Sequence, residues 1–303
     1  MKLTVLVFSI LFSSTLSAQL LLDSIPFPGL NVNFWGLGEK NDTLILGDDF
    51  NGALYFVTKD GAVHRTIETP YDFNHGTVWT GSNYWIAEDY SSSGATLNEI
   101  NDNGIQTNSW VFPDVIGGNS EGIGGLFYDN GDVWYTMYFP DFDVYPFSYA
   151  YRWTPGQIEA IDTIPLRGEQ PYGITLKGDT IIYVTDNLNG DIEKIYAFHH
   201  SIDDTLFSFD LPDTPIDNDM SPRGLHFDGK YLWMLADRQG GSAFAYRTLY
   251  KYAIAPYALI EIDNQELFFG EVQINSTSMM NINLLNNGEQ DLVISSITGN
   301  STA

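Results

Sequence analysis

A repeated segment of four strands constrains this chain more than any other feature of its sequence. Each copy has a Gly-containing strand, a turn, an apolar strand that ends in an acidic or small residue, and two further strands. Aligned on the last residue of the second strand, at positions 49, 89, 137, 186 and 237, the copies lie 40, 48, 49 and 51 residues apart. Four strands at this period are typical of a β-propeller blade, so the sequence predicts an all-β, five-bladed β-propeller.

Two other architectures are built from many short strands, the β-sandwich and the parallel solenoid. A sandwich would not repeat one four-strand pattern five times, and a solenoid coil is usually shorter. A six-bladed propeller is the alternative if residues 209–220 contain divergent strands. In each copy we expect the glycine of the first strand to lie near the central axis, where backbones approach closely.

The fifth copy has only three evident strands before Pro256. Residues 20–26 resemble the fourth strand of the third copy, residues 158–165, closely enough to replace the missing strand. Pairing an N-terminal strand with the last blade would remove two exposed strand edges at once. We therefore predict that residues 20–25 pair beside residues 248–254.

The first 18 residues have the pattern of a secretory signal peptide. Lys2 precedes an apolar run, which is shorter than a membrane-spanning helix needs, and small residues end at Ala18. The sequence thus predicts export, with the propeller at residues 19–256 and a location in the medium or at the cell surface. The chain contains no cysteine, so it has no disulfide or thiolate chemistry.

The charge of the chain limits its partners. The 39 acidic and 13 basic residues give a formal net charge of −26. Such a protein repels nucleic acid and anionic membrane surfaces. We expect an extracellular glycan, peptide or protein as partner, with no insertion of the mature chain into a membrane.

From Tyr257 the pattern changes to the alternation of sandwich strands, with a hairpin signal at Asn287-Gly288. Residues 260–299 resemble the start of the Hydin-type, immunoglobulin-like modules of choice-of-anchor proteins, through the pattern L-x-F-G-x-V-x-x-x-S-T followed by N-x-G-x-x-x-L-x-I-x-x-I. This resemblance implies that residues 257–303 are a partial module of that type, as in surface or secreted proteins of Bacteroidota.

Acidic residues recur at the ends of the second strands, and loops at one end of a propeller channel commonly bind ligands. One interpretation is that each aspartate caps its own turn. The other is that these carboxylates bind a ligand, and the candidates are Asp49, Asp89, Asp186 and Asp237.

A second acidic segment spaces oxygen ligands by two residues, as a calcium loop does, at Asn187, Asn189 and Asp191. Ca²⁺ is therefore a candidate ion, although the predicted function requires no cofactor. Histidines show no zinc-binding spacing, and His199 and His200 are expected on the surface. The tryptophans at positions 79, 85, 110, 134, 153 and 233 are expected to pack mostly between blades.

The segment Ser120-Glu121-Gly122-Ile123 resembles the E-G-L that opens a blade in the five-bladed glutaminyl cyclotransferases. The resemblance implies that Glu121 shuttles a proton during cyclisation of an N-terminal glutamine. The family's later N-E-L-E stretch corresponds here to residues 221–226, which lack its acidic residue. The pattern P-x-G-L/I-x-x-x-G at Pro171 and Pro222 instead resembles secreted NHL- and YVTN-like propellers.

These features of the sequence are compatible with two functions. The main prediction is an exported binding or scaffolding protein whose ligand the sequence does not identify. The alternative is a propeller enzyme that resembles glutaminyl cyclotransferases or gluconolactonase-like hydrolases. A carboxylate and tryptophan cluster that converges at the channel mouth would favour the enzyme, and a flat face would favour binding.

Overall fold

A computed structural model shows an all-β chain that divides into two compact units, Leu20–Ile254 and Met1–Gln19 with Ala255–Ala303. It describes residues 5–9, 20–88, 94–113, 122–138, 148–186, 192–200, 204–211, 221–236, 247–254, 260–262, 284–286 and 298–302. Every regular element in these ranges is a β-strand, and the strands are numbered β1 to β24 along the chain. Within the described ranges, no helix is long and apolar enough to span a membrane.

The larger unit consists of five antiparallel four-stranded sheets, which are the five predicted blades. Blade 1 contains β3 (Phe34–Lys40), β4 (Thr43–Asp48), β5 (Ala53–Val57) and β6 (Val63–Glu68). Blade 2 contains β7 (Asn74–Trp79), β8 (Tyr84–Glu88), β9 (Thr96–Ile100) and β10 (Gln106–Val111). Blade 3 contains β11 (Ile123–Asp129), β12 (Asp132–Met137), β13 (Ser148–Trp153) and β14 (Asp162–Leu166). Blade 4 contains β15 (Pro171–Lys177), β16 (Thr180–Thr185), β17 (Lys194–His199) and β18 (Asp204–Asp210).

Blade 5 is completed from the other end of the sequence. Its strands are β19 (Pro222–Phe227), β20 (Tyr231–Ala236), β21 (Thr248–Ala253) and, on the outside, β2 (Leu20–Pro26). In the β2–β21 pair, Ile25 lies opposite Leu249 and Ser24 lies opposite Tyr250. The predicted position of the N-terminal strand is confirmed, and the six-bladed alternative is wrong, because β2 supplies the missing strand of the fifth blade.

Each interface between neighbouring blades contains its own hydrophobic cluster. The second strand of a blade is buried on both faces, so its successive side chains alternate between two clusters. In β4, for example, Leu44 and Leu46 pack against Trp233 of blade 5, while Ile45 packs toward Tyr84 of blade 2. The tryptophans at positions 85, 134, 153 and 233 are buried as predicted, and those at 79 and 110 are partly buried.

A glycine occupies the third position of the first strand in all five blades, at positions 36, 76, 125, 173 and 224. These glycines lie against the first strand of the following blade. A Cβ atom on Gly173 would lie 2.4 Å from the carbonyl oxygen of Arg223, and one on Gly224 would lie 2.5 Å from that of Trp35. The first strands therefore meet backbone to backbone around the axis, which confirms the predicted role of the repeated glycine.

The smaller unit contains four described strands. β1 (Val5–Ser9) pairs with β24 (Thr298–Thr302), and β22 (Ile260–Ile262) pairs with β23 (Leu284–Asn286), both antiparallel. The signal peptide and the immunoglobulin-like module predicted for these regions lie largely outside the described residues and stay predictions.

Candidate functional site

One end of the propeller is built by a β-bulge that recurs in every blade. The pairing of each first strand with its second strand is irregular directly after the first residue of the first strand. A bulge re-aims the side chain of the extra residue, and bulges are over-represented next to active sites. The residues at the second position are Trp35, His75, Gly124, Tyr172 and Arg223.

These second residues converge at what we call the bulge end of the propeller. Trp35 of blade 1 stacks on His75 of blade 2, with ring centroids 3.8 Å apart and planes 2° from parallel. Its indole Nε1 donates a hydrogen bond to the carbonyl oxygen of Gly124 in blade 3, at 3.3 Å. Because Trp35 spans from blade 1 to blade 3, its side chain lies across the space between the first strands.

His75 is held by groups from both neighbouring blades. Its Nε2 lies 3.0 Å from Asp49 Oδ1 of blade 1, and its Nδ1 lies 3.2 Å from the carbonyl oxygen of Ile123 in blade 3. Asn33 Nδ2 donates to the second oxygen of Asp49, at 2.9 Å. Both nitrogens of the imidazole thus face acceptors of the protein, which orients the ring and links three blades.

Asp49 does not cap its own turn, which corrects the first interpretation of the recurrent aspartates. The preceding residue, Asp48, has that role: its Oδ1 accepts hydrogen bonds from the backbone N–H groups of Asn33 and Phe50, both at 3.0 Å. Asn51 Nδ2 donates to its Oδ2, at 2.7 Å. Asp49 therefore acts between blades, through His75.

Asp186 makes the corresponding link between blades 4 and 5. Its Oδ2 accepts hydrogen bonds from Arg223 Nη1 and Ser221 Oγ, each at 2.6 Å. The guanidinium of Arg223 lies 4.0 Å from the ring centroid of Tyr172 and 4.5 Å from that of Trp35. Asp49 and Asp186 thus each bind the second residue of the next blade's first strand.

Tyr138 occupies the position of these aspartates in blade 3. Its backbone N–H donates to the carbonyl oxygen of Gly122 at 2.7 Å, as that of Asp49 does to Asn33. The repeat alignment places Met137 at this position, but Met137 pairs with Ile123, one residue earlier. Tyr138 stacks on Tyr172 of blade 4, with centroids 4.9 Å apart and planes 17° from parallel.

Together these residues form one connected group, which we call the bulge cluster. It contains three aromatic rings, a histidine and an arginine, and each of the two basic groups is paired with an aspartate. The members are Trp35, Asp49, His75, Tyr138, Tyr172, Asp186 and Arg223. The cluster is a largely buried group of apolar and charged side chains at the bulge end, and Asp186 is its most exposed member.

Two exposed phenylalanines lie beside the cluster. Phe50, directly after Asp49, is 70% exposed, and Phe73, which precedes β7, is 43% exposed. Phe73 has a φ of 58°, which is strained for a bulky side chain, and its N–H donates to the carbonyl oxygen of Asp49 at 3.0 Å. Both side chains add exposed apolar surface to the bulge end, and the strained backbone of Phe73 holds its side chain there.

Glu88 is a further acidic group at this end, in the position that Asp48 occupies in blade 1. Burial raises the pKa of its carboxyl, hydrogen bonds from Thr96 and Asn98 lower it, and the charge of Asp72 raises it, with a net increase above the ordinary value. Glu88 therefore takes up a proton at a higher pH than an exposed glutamate does.

The structure describes two of the four recurrent aspartates, Asp49 and Asp186, and brings both into the bulge cluster. Glu121, Asp89 and Asp237 lie outside the described residues, and so does the predicted calcium segment with Asn187, Asn189 and Asp191. Among the residues that are described, no group of three or more His, Asp or Glu side chains is arranged to hold a metal ion. Binding of Ca²⁺ stays a prediction.

Five members of the bulge cluster are not among the site residues that the sequence predicts: Trp35, His75, Tyr138, Tyr172 and Arg223. Four of them share a signal, because they directly precede the glycine of a first strand, as in Trp35-Gly36, His75-Gly76, Tyr172-Gly173 and Arg223-Gly224. A strand pattern alone points alternate side chains to opposite faces, and only the bulge places these residues together.

Comparison with known proteins supports the fold. No family model matches the sequence, and no curated protein matches it. Among solved structures, the glutaminyl cyclase of Myxococcus xanthus is similar with a TM-score of 0.54 at 10% identity, over 77% of this chain and 95% of that one. A streptogramin B lyase is similar with a TM-score of 0.42 at 15% identity, over 78% of this chain and 73% of that one. At 10% identity the likeness to the glutaminyl cyclase concerns the fold alone, and it agrees with the five four-stranded sheets of this β-propeller.

Proposed function

We propose that this protein is exported and binds an extracellular glycan, peptide or protein at the bulge end of its propeller. One observation carries the proposal: a bulge recurs in all five blades, and in four of them it brings a large aromatic or basic side chain into a single cluster. Aromatic side chains combined with a few oriented polar groups are typical of ligand-binding sites. The cluster itself is largely buried, and the exposed Phe50 and Phe73 supply accessible apolar surface at the same end.

Convergence of Trp35, Asp49 and Asp186 is the arrangement expected of an enzyme, but both carboxylates are already paired with basic side chains of the protein, and this pairing supports binding as the main function. The carboxylate of Asp49 is within hydrogen-bond distance of His75, and that of Asp186 accepts a hydrogen bond from Arg223. Each pair therefore fixes the position of both of its side chains. Paired groups of this kind orient hydrogen-bonding atoms and make a rigid recognition surface. If the partner is a protein, binding at the same end would make this protein a scaffold.

A pair of matched variants tests the proposal on glycan and peptide arrays. Phe50 lies at the bulge end, and Ile105, which is 60% exposed, lies in a hairpin at the opposite end. We expect the protein to bind an array component, Phe50→Ala to weaken that binding by about tenfold, and Ile105→Ala to leave it unchanged. Loss of binding in Ile105→Ala with full binding in Phe50→Ala would contradict the proposal, because it would place the binding site at the end opposite the bulge end.

Export has its own test. The N-terminal sequence of the protein recovered from the culture medium or cell surface should begin at Gln19 or within a few residues of it, because a signal peptidase cleaves after small residues such as Ala18. An N-terminus at Met1 would contradict the proposed export.

A second candidate function is cyclisation of N-terminal glutamine, and the structural likeness to a glutaminyl cyclase favours it, because that likeness extends over 95% of that enzyme. In this case Glu121 would act as the proton shuttle. The test is mass spectrometry of a peptide with N-terminal glutamine, which loses ammonia on cyclisation. We expect Glu121→Gln to abolish such a reaction and Glu99→Gln, on the outer part of blade 2, to retain it. A gluconolactonase-like hydrolysis is tested in parallel by acid release from a sugar lactone.

A further inference from the structure

Arg223 occupies a cage of aromatic and acidic groups. The cage consists of Trp35, Tyr172, Asp186 and Ser221. Trp35 lies in β3 of blade 1 and Tyr172 in β15 of blade 4, Asp186 directly follows β16, and Ser221 directly precedes β19. The guanidinium lies over both aromatic rings, 4.0 Å and 4.5 Å from their centroids, and its Nη1 donates to Asp186 Oδ2 and to the carbonyl oxygen of Pro222. The side chain of Arg223 is 7% exposed.

This environment has the chemistry of a cation-binding site. Aromatic faces attract a cation most strongly where water is excluded, and the carboxylate supplies the compensating charge. A buried ion pair by itself adds little to stability, since the desolvation of both charges opposes their attraction. The aromatic faces and the carboxylate of the cage together match a small organic cation, such as a guanidinium or ammonium group.

The acidic side of the cage is more exposed than its aromatic side. The side chain of Asp186 is 17% exposed, and Ser221 is partly exposed. Arg223 is attached through a long side chain with several rotatable bonds, so it can leave the cage without movement of the strand. The net charge of −26 attracts cationic ligands toward the protein at low ionic strength.

We propose that the cage is the cation subsite of the bulge end and that it takes the guanidinium or ammonium group of a basic side chain in an extracellular peptide. Arg223 occupies the cage in the unliganded protein and is displaced when the ligand binds. This inference rests on the proposed binding function, which it narrows from three partner classes to a basic peptide.

The direct test is chemical rescue of the full-length Arg223→Ala variant. Guanidinium chloride at millimolar concentration should refill the cage, and sodium chloride at the same ionic strength should not. At ten times the dissociation constant we expect a rise in Tm of about 3–6 °C that saturates with concentration. The control is Arg152→Ala, because Arg152 also pairs with an aspartate, Asp132, and lies over a tryptophan, Trp134, but is 37% exposed and outside any cage.

Displacement is tested with the probes N-acetylarginine amide and its neutral analogue N-acetylcitrulline amide. The Arg223→Ala variant should bind the arginine probe at least about tenfold more tightly than the unmodified protein does, because the internal competitor is gone. Neither protein should bind the citrulline probe. If Arg223→Ala does not accumulate as folded protein, the yield of refolding from urea, with guanidinium against sodium chloride, is measured instead.

The cage proposal is overturned if Arg223→Ala responds to guanidinium no more than Arg152→Ala does, or if the citrulline probe binds equally well. These readouts need no natural ligand, so they are independent of the array experiment. Failure on the arrays with successful rescue would reject the proposed function and keep the cation site, and the reverse outcome would reject the cation site alone.

Discussion

Trp35 shows how a single side chain organises the bulge end. One face of its indole stacks on His75, the guanidinium of Arg223 lies over the ring, and the Nε1 group bonds across to Gly124. The residue is 8% exposed. Trp35 also makes an edge-to-face contact with Tyr172 of blade 4, so its contacts reach all four other blades, whereas an ordinary core tryptophan packs at one interface.

Replacement of Trp35 by alanine should destabilise the protein strongly. Truncation of a buried tryptophan costs about 3–5 kcal/mol, and here it also removes the stacking partner of His75. The free energy of unfolding from urea titrations measures the effect. Trp110→Ala is the matched control, because Trp110 is partly exposed on the outer strand of blade 2 and makes an edge-to-face contact with Trp85. Equal losses in the two variants would show that Trp35 has no special structural role.

At the scale of elements, the first strand of each blade combines a bulge at its second residue with a glycine at its third. In every blade except blade 3, where the second residue is Gly124, the bulge turns a large side chain toward the end of the propeller, and the glycine lets the same strand touch its neighbour. For Gly173, the atoms nearest to an added Cβ include the carbonyl oxygen of Arg223 and the backbone nitrogen of Leu225, both at 2.4 Å. Backbone atoms of a central strand cannot move aside as a flexible side chain can.

Gly173→Ala should therefore lower the free energy of unfolding by about 1–3 kcal/mol, because overpacking against a backbone forces the strands apart. The control is Gly29→Ala, since an added Cβ there meets no atom within 4 Å and the residue does not have a positive φ. Urea titrations of both variants provide the comparison. A Gly173→Ala protein as stable as Gly29→Ala would mean that the blades have room to separate.

At the scale of the whole molecule, the junction between blades 5 and 1 closes the propeller. β2 supplies the outer strand, and Lys59 of blade 1 lies 2.8 Å from Asp228 in the first hairpin of blade 5. Nearby, His226 Nε2 lies 3.0 Å from Glu39 Oε2. The N-terminal and C-terminal parts of the repeat array are thus joined both by strand pairing and by charge.

A chain that begins at Phe27 should fail to fold into a stable propeller. Without β2, the outer edge of β21 is unpaired and blade 5 has three strands, so the protein should melt at a much lower temperature and aggregate. A chain that begins at Leu20 is the control, since it retains the whole β2–β21 pair. Thermal melting followed by circular dichroism distinguishes the two, and similar Tm values would contradict the importance of this closure.

The stability of the junction should depend on pH in the acidic range. Burial would raise the pKa of Asp228, but hydrogen bonds from Lys59, Trp233 and two backbone groups lower it to about 2. A lowered folded-state pKa contributes stability that is fully present above the ordinary value of about 4 and is lost as the pH falls to about 2. The pKa of Glu39 is also lowered in the folded state. Burial raises it, but His226 and Lys59 lower it by more, so it lies below the ordinary value.

Asp228→Asn should accordingly be less stable than the unmodified protein at pH 7, and the difference should shrink as the pH falls from about 5 to about 2. Midpoints of urea unfolding across this pH range measure the stability of both proteins. Subtracting one from the other at each pH removes the contribution of the other carboxylates, which both proteins share. Asp179→Asn, at an exposed hairpin position, serves as control and should run parallel to the unmodified protein. A constant difference for Asp228→Asn would refute the assignment.

The sequence by itself determined the blade, the number of blades and the closing strand. These follow from short-range patterns: a four-strand repeat, a glycine where backbones meet, and a displaced fourth strand that matches its counterpart in blade 3. It also identified Asp49 and Asp186 as candidate site residues, because both recur at the same position in the repeat.

Only the tertiary structure decided what these aspartates bind and which residues complete the cluster. Asp49 and His75 are 26 residues apart, and Asp186 and Arg223 are 37 apart, so their contacts depend on how two blades pack. A one-residue bulge changes the direction of a side chain without a clear signature in composition or periodicity. The blade is a local property of the chain, whereas the site exists only where five blades meet.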